Sequence, residues 1–351
     1  MKTLYWIDDT HDKSKPPNEA AKRRLENGLN VHLQVETIKD REQFGKLLLT
    51  LVGKRTCGVL MDYELTAVGE EGQMTFGTTW AAEIRAAHPS IPVIGISHKR
   101  ECEIPKFRLE SFLAFFQRDL LMGLHPPLKD IDAMLSGYSA VCRTLKKQDG
   151  KSGVDLMVGL VKPPANVAGL FKAAIPSNLR GRWDEETPHV VGRWLWHDFQ
   201  GLPGFLFDQL GVATHLGLNL KGFERMRAKL DAARYQGVFS SDERPRWWVC
   251  AIREAVQKII SVPANVRVSS LRQELLASVG VNQDERKTLL ARPYGRKGSD
   301  EIPDCVAYRD DEREEDDCVQ SLFGDTIVDE RDVNSAFGFE ARRVYAPRSK
   351  P

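Results

Sequence analysis

The amino-acid sequence predicts an α/β domain built on a five-stranded parallel sheet, followed by a mainly helical domain of α+β character. In the first 147 residues, five short apolar runs alternate with segments of helical periodicity. Strands that alternate with helices are typical of a parallel sheet with helices on both faces. Beyond residue 153 the pattern is mainly helical, and a chain of 351 residues is long enough for two domains.

Each predicted strand is an apolar or alternating run, and most of these runs end in a polar residue. The runs cover residues 3–9, 31–37, 57–63, 91–97 and 111–117. The predicted helices cover residues 19–27, 40–54 and 77–88, a short segment before the fifth strand, and residues 127–147. This order predicts a doubly wound sheet, in which ligands bind beyond the carboxyl ends of the strands.

Five polar residues fall at these carboxyl ends. Asp8 and Asp9 end the first strand, Asp62 the third, Ser97 the fourth and Arg118 the fifth. Three carboxylates at one edge repel each other unless a cation joins them, and Mg²⁺ takes one or two carboxylates while keeping bound water. The residues therefore predict a magnesium site. A carboxylate beside that ion can attack a phosphoryl group and form an aspartyl phosphate, whose oxygens the hydroxyl and the guanidinium would hold.

Four short motifs make residues 1 to about 147 resemble the receiver domain of bacterial response regulators, which has the CheY-like fold. The motifs are IDD at 7–9, LMDYEL at 60–65, VIGIS at 93–97 and FFQRD at 115–119. The resemblance implies that Asp8 and Asp9 form a metal-binding pair and that Asp62 accepts phosphate. It also implies a histidine kinase or another phosphodonor as a partner, and a role in signal transduction.

The resemblance assigns further roles and shows one departure from the family. The backbone carbonyl of Glu64 would bind the metal, Ser97 would reorient toward the phosphoryl group, and Phe115 would be the switch aromatic. The family has a lysine at the end of the fifth strand, usually followed by proline, where this chain has Arg118 and Asp119. Arginine keeps the charge but presents a planar fork, and Asp119 is expected to compete for it.

Two functions of the first domain therefore stay open. In the first, phosphorylation of Asp62 controls an output domain. In the second, the domain is a receiver-shaped adaptor or scaffold that binds proteins and never takes phosphate. In both cases we expect a protein partner and no membrane partner.

Charge divides the rest of the chain. Residues 151–298 carry 22 basic and 14 acidic side chains, whereas residues 299–351 carry 7 and 15. The polar segment 148–153 predicts a linker between a domain over 1–147 and an output or interaction domain over 154–351. The acidic tail, residues 299–351, either packs on the basic segment or shields a basic binding face.

The second half offers candidate binding residues without a recognised family. Arg244, Arg246, Trp247 and Trp248 either contact a partner by stacking or anchor a helix to the core. Residues 217–235 predict a basic amphipathic helix that either is solvated or meets a partner or a phosphate backbone. Residues 269–291 are helix-turn-helix-like in length, but their second helix is balanced in charge, which does not favour DNA binding.

Several classes of protein are not indicated. No apolar run reaches about 18 residues, and no basic-then-apolar leader opens the chain. The six cysteines are scattered, so we expect a cytoplasmic protein with reduced thiols. No P-loop, GxSxG or HExxH motif is present, and no catalytic residue is assigned. An enzymatic or nucleic-acid effector in the second half stays as a third alternative.

Overall fold

The structure is a computed structural model of the chain. It describes residues 1–8, 17, 19–38, 40–53, 55–65, 75–100, 103–201, 204–260, 274–289, 306–308 and 319–321. The chain packs as two compact units. The first comprises Met1–Lys162, Lys172–His197 and Gly237–Glu243, and the second comprises Pro163–Phe171, Asp198–Gln236 and Arg244–Pro351.

Among the residues described before 147, the first unit contains seven strands and six helices. In chain order they are β1 (Lys2–Asp8), α1 (Glu19–Leu29), β2 (Val31–Thr37), α2 (Arg41–Gly53), β3 (Thr56–Asp62), β4 (Glu64–Leu65), β5 (Thr75–Phe76), α3 (Gly77–Ala87), β6 (Val93–Ser97), α4 (Lys106–Leu109), β7 (Phe115–Gln117), α5 (Arg118–Met122) and α6 (Leu128–Lys146).

Five of these strands form one parallel sheet in the order β2-β1-β3-β6-β7. Counted along the sheet strands, this is the order 2-1-3-4-5 of the CheY-like doubly wound fold, so the predicted fold is confirmed. The short strands β4 and β5 pair as a separate antiparallel ribbon after β3.

The central strands are apolar because helices cover both faces of the sheet. Leu4 to Ile7 of β1 and Val59 to Met61 of β3 are fully buried. Tyr138 of α6 is also buried, and its hydroxyl donates to the Pro89 carbonyl oxygen at 2.7 Å. Burial raises the pKa of this phenol far above its ordinary value. This hydrogen bond fixes α6 to the loop that leads into β6.

The first unit continues past the predicted boundary. After α6 come α7 (Gly153–Val161), α8 (Ala168–Ala174), α9 (Ser177–Arg180), α10 (Thr187–Arg193) and a π-helical turn over Trp194–Phe199. Residues 168–171 of α8 and residues 198–199 of the turn belong to the second unit. Along this last segment, His189, Arg193 and His197 donate to the carbonyl oxygens of Glu110, Leu109 and Leu113 at 2.9, 2.6 and 3.1 Å.

These bonds tie residues 172–197 to the loop that leads into β7. The predicted linker, residues 148–153, lies inside the first unit, where the Ser152 hydroxyl caps α7 by accepting from the Asp155 N–H at 3.3 Å. The boundaries of the compact units therefore do not coincide with residues 148–153. The division into functional domains over 1–147 and 154–351 stays a prediction.

The second unit is mainly helical, as predicted. Its elements are β8 (Leu206–Phe207), α11 (Gln209–His215), α12 (Leu220–Met226), a 3₁₀-helix (Arg227–Ala233), β9 (Trp247–Trp248), α13 (Val249–Ile260), α14 (274–278), α15 (Gln283–Leu289), β10 (Val306–Tyr308) and β11 (Val319–Ser321). β8 pairs with β9 and β10 with β11, both antiparallel. An apolar core around Phe223, Trp247 and Ile252 holds its helices together.

Two further findings concern the described ranges. No helix there is long and apolar enough to cross a membrane. Cys57, Cys142 and Cys250 carry free thiols, and burial raises the pKa of Cys142 to about 11, which makes this thiol a weak nucleophile. The other three cysteines, and nearly all of the acidic tail, lie outside the described residues.

Candidate functional site

Four polar residues meet at the carboxyl edge of the sheet. Asp8 is the last residue of β1, Asp62 of β3 and Ser97 of β6, and Arg118 is the first residue after β7. All four side chains belong to buried residues, with at most 4% of their surface exposed. The parallel strands bring them together because their carboxyl ends point to the same side. Asp9, the fifth predicted residue, lies outside the described residues.

The guanidinium of Arg118 lies between the two carboxylates. Its Nη1 donates to Asp62 Oδ2 at 3.0 Å, and its Nη2 donates to Asp8 Oδ2. Trp6 contacts both partners of one of these ion pairs. Its indole N–H donates to Asp8 Oδ2 at 3.2 Å, and its ring centroid lies 5.5 Å from the guanidinium carbon of Arg118. The planar fork of arginine allows one cation to bind both acids.

The balance of charge at this edge favours a protonated carboxyl group. Burial, followed by the negative charge of Asp8, raises the pKa of Asp62, and Arg118 opposes this shift. The Glu64 N–H also opposes it by donating to Asp62 Oδ1 at 3.3 Å. One guanidinium neutralises one carboxylate, so a proton on the second carboxyl makes the buried group neutral.

Two side-chain contacts at the rim connect the loop after β6 to β4 and α5. Lys99 pairs with Glu64, and His98 Nδ1 lies 3.1 Å from Asp119 Oδ1. The Lys99 N–H also donates to the Ser97 hydroxyl at 3.1 Å. The expectation that Asp119 competes for Arg118 is wrong: Asp119 is exposed beside His98, while Arg118 is held in the interior by Asp8 and Asp62.

Phe115, the predicted switch aromatic, is half-buried at the start of β7. Its ring packs against Tyr63 and Phe112, with centroid distances of 6.4 and 6.3 Å. Tyr63 directly follows Asp62, and its hydroxyl accepts a hydrogen bond of 3.0 Å from Arg108 of α4. The ring of Phe115 therefore contacts the residue next to the candidate phosphoacceptor.

The sequence did not reveal two residues that shape this edge. Arg108 lies 3.7 Å from the ring centroid of Phe76, and it joins α4 to β3 through Tyr63. At Gly77, a Cβ would lie 2.0 Å from the carbonyl oxygen of Asp62, so α3 can begin this close to β3 only without a side chain. The position of Gly77 after a Gly-containing loop hinted at a turn, whereas nothing marked Arg108.

The two described carboxylates at this edge are bound to a cation that the protein itself supplies. The oxygens of Asp8 and Asp62 that face each other bind a guanidinium, and a second cation there would meet its positive charge. Among the residues that the structure describes, no group of three or more His, Cys, Asp or Glu side chains can hold a metal ion. Because Asp9 is not described, the magnesium site and the role of the Glu64 carbonyl stay predictions.

The candidate partner-binding residues of the second unit are mostly internal. Trp247 and Trp248 are at most 4% exposed, and their rings pack on Phe223 at 5.2 Å and on Tyr235 at 5.8 Å. Arg246 donates through Nε to the Gln200 carbonyl oxygen at 2.8 Å. The two indoles therefore anchor the core, which is the second of the two alternatives, and do not offer a stacking surface. Arg244 is exposed.

Comparisons with known proteins found solved structures that are similar to part of the chain. No family model and no curated protein matches the chain. The receiver domain of NtrX from Brucella abortus is 20% identical, with a TM-score of 0.22, and the match covers 33% of this chain and 84% of that chain. A larger NtrX structure is 21% identical with a TM-score of 0.23, but the chain spans 23% of its length.

A third similar structure is the signal receiver domain of an HD domain-containing protein from Pseudomonas fluorescens Pf-5. It is 14% identical with a TM-score of 0.23, and the match covers 33% of this chain and 74% of that chain. These scores are below 0.5. The order and direction of the strands, rather than these similarities, establish the receiver-like fold of the first unit.

Proposed function

We propose that the sheet of the first unit is a receiver-type signalling domain that acts through protein–protein contacts, with Arg118 as the internal counter-cation of Asp8 and Asp62. The observation that carries this proposal is the buried guanidinium bound to both carboxylates. An adaptor or scaffold role follows, because the edge that would take phosphate is already neutralised by the protein itself.

The chemistry of Asp62 supports an adaptor role. Attack on a phosphoryl group needs an ionised carboxylate, and burial raises the pKa of this group. Arg118 also binds Asp62 Oδ2 at 3.0 Å, so attack by this oxygen would break the ion pair. Breaking a buried ion pair leaves an uncompensated charge, which is costly. The resting arrangement therefore opposes phosphorylation.

Intact mass after treatment with acetyl phosphate and Mg²⁺ tests the proposal. We expect no phosphate-sized gain in the wild type or in Asp62→Asn. We expect a gain in Arg118→Lys, because an ammonium on a flexible stem cannot hold both acids as a fork does. That gain should disappear in Arg118→Lys combined with Asp62→Asn. Arg108→Lys is the matched control and should stay unlabelled. A gain in the wild type that Asp62→Asn abolishes would contradict the proposal.

A second candidate is control of an unidentified output by phosphorylation of Asp62. The observation that favours it is the placement of the Ser97 hydroxyl and the Arg118 cation at the edge where Asp62 lies. A histidine kinase and Mg²⁺ would then be partners. Labelling of the wild type by a kinase, with loss of the label in Asp62→Asn, would select this candidate over the adaptor.

A further inference from the structure

A cavity of about 420 Å³ lies in the first unit at the end of α6. Its walls come from the last turns of α6, the loop before β6 and the loop before α10. Because Pro89 and Ser90 of these walls precede β6, the cavity lies at the amino-terminal side of that strand, whereas Ser97 of the carboxyl edge ends it. Sites for small molecules have volumes of about 300–1,000 Å³, so this cavity is large enough for one.

The buried part of the lining is apolar. Trp183 and Pro188 are buried, and Pro89 and Leu145 are half-buried. Cys142 is buried as well, and because burial raises the pKa of its thiol to about 11, this side chain is uncharged near neutral pH. A protonated thiol behaves as a small apolar group. A ligand that fills the cavity therefore needs an apolar body.

Hydrogen bonds within the protein hold the walls of the cavity in place. Gln148 Nε2 donates to the Trp183 carbonyl oxygen at 3.3 Å, and the indole N–H of Trp183 donates to the Leu179 carbonyl oxygen at 3.0 Å. In the loop before α10, Asp184 Oδ1 accepts from the N–H and the hydroxyl of Thr187 at 2.9 and 2.6 Å. The cavity is thus formed before a ligand arrives, which lowers the ordering cost of binding.

Four exposed charged residues complete the lining, two of each sign. Lys146 and Arg182 are basic, and Asp184 and Glu185 are acidic. None of the four has an ion-pair partner among the residues that the structure describes. A ligand with a single charge would meet two groups of like sign here, whereas a zwitterion offers a partner to both pairs. The charges of the lining therefore favour a zwitterion.

Gln148 adds a hydrogen-bond acceptor to the lining. Its Oε1 is buried and accepts no hydrogen bond from the part of the chain that the structure describes. Leaving a buried acceptor without a donor is costly. An ammonium group bound beside Gln148 would supply the missing donor.

We propose that this cavity binds a zwitterionic amino acid with an apolar side chain. The apolar lining takes the side chain, Lys146 and Arg182 bind the carboxylate, and Glu185 together with the Gln148 carbonyl oxygen binds the ammonium group. The proposal goes beyond the proposed function and does not depend on it, since no lining residue belongs to the carboxyl edge of the sheet.

Isothermal titration calorimetry of the full chain with L-phenylalanine and L-leucine tests the proposal. Three further probes each lack one part of L-phenylalanine: 3-phenylpropionate has no ammonium group, phenethylamine no carboxylate and glycine no apolar side chain. We expect at least one of the two amino acids to bind, and each further probe to bind about tenfold more weakly than L-phenylalanine. One hydrogen-bonded charge or one buried aromatic ring contributes about that factor.

A cavity-filling variant tests the location of the site. Leu145→Trp enlarges a side chain of the lining and should abolish binding of the amino acids. Leu49→Trp makes the same change on α2, where Leu49 is 76% exposed, and should change affinity less than twofold. Thermal unfolding of both variants shows that they are folded.

A second variant tests the assigned role of the basic pair. Lys146→Gln combined with Arg182→Gln should weaken binding of L-phenylalanine about tenfold and leave binding of phenethylamine, which has no carboxylate, unchanged. Arg143→Gln combined with Lys147→Gln removes two exposed charges from the same end of α6 outside the lining, and is the matched control. A purely structural role of the pair would weaken binding of both probes equally.

Three outcomes would overturn the proposal. Neither amino acid binds, or Leu145→Trp binds them as the wild type does, so that the ligand lies elsewhere. In the third, 3-phenylpropionate binds as tightly as L-phenylalanine, which would show that the cavity takes an apolar acid and does not recognise an ammonium group.

Discussion

The carboxyl edge of the sheet and the outer face of α12 hold arginine in opposite ways. Arg118 is 1% exposed and binds two buried carboxylates. Arg225 is 61% exposed and has one acidic neighbour on the surface. A buried cation with two partners is part of the folded structure, whereas a solvated one can exchange its partner for a ligand. The comparison explains why we assign a structural role to Arg118 and not to Arg225.

Replacing each arginine by methionine gives the largest expected contrast. Arg118→Met leaves two buried carboxyl groups without their cation and should lower the free energy of unfolding by about 3–5 kcal/mol. Arg225→Met removes an exposed pair and should cost less than about 1 kcal/mol. Urea unfolding of both variants measures this. Similar losses for the two variants would show that Arg118 is not the counter-cation of the buried acids.

A pair of glycine variants sharpens the account of the sheet edge. Gly77→Ala places a Cβ 2.0 Å from the Asp62 carbonyl oxygen and should cost about 1–3 kcal/mol through overpacking. Gly45→Ala, on α2 with open space around the new atom, should stabilise the protein by about 0.5–1 kcal/mol. Thermal unfolding of both variants tests whether Gly77→Ala lowers and Gly45→Ala raises the stability of the protein. A neutral Gly77→Ala would mean that α3 does not begin against Asp62.

The smallest expected effect concerns a buried histidine in the first unit. Burial lowers the pKa of His189 to about 4, while its ordinary value is 6.5. Below pH 6.5 this histidine binds a proton in the unfolded chain but not in the folded chain. The contribution of neutral His189 to the free energy of unfolding is therefore fully present above pH 6.5 and is lost as the pH drops toward 4. We expect a loss of about 1 kcal/mol between pH 7 and pH 5.5 from this residue.

Substitution isolates this contribution. His189→Gln should flatten the pH dependence of unfolding, because an amide can still donate to the Glu110 carbonyl oxygen without titrating. Gly45→Ala changes no ionisable group and should leave the dependence as it is in the wild type. Chemical denaturation at pH 7 and pH 5.5 measures the free energy of unfolding of both variants. An unchanged slope in His189→Gln would indicate that other groups set the acid sensitivity.

The strand pattern predicted the sheet well because buried parallel strands are continuous apolar runs, and their ends located Asp8, Asp62, Ser97 and Arg118. Two features depend on contacts between distant residues and left no local pattern. The fork of Arg118 joins β7 to β1 and β3, and the bonds from His189, Arg193 and His197 bring residues 172–197 into the first unit. The turn between α11 and α12 did leave a signal, Gly217 followed by Asn219, which the continuous amphipathic pattern of 217–235 concealed.

The central claim is that Arg118 is the counter-cation of Asp8 and Asp62 in place of a divalent metal ion. The NMR resonance of the Trp6 indole N–H tests this claim. Its indole N–H donates to Asp8, so Mn²⁺ bound at this edge would broaden that NMR resonance, which Trp6→Phe identifies. We predict no selective broadening in the wild type and clear broadening in Arg118→Lys, where the fork is lost. Selective broadening of the Trp6 resonance in the wild type would contradict the account, because a metal ion would then bind beside Asp8 while Arg118 is present.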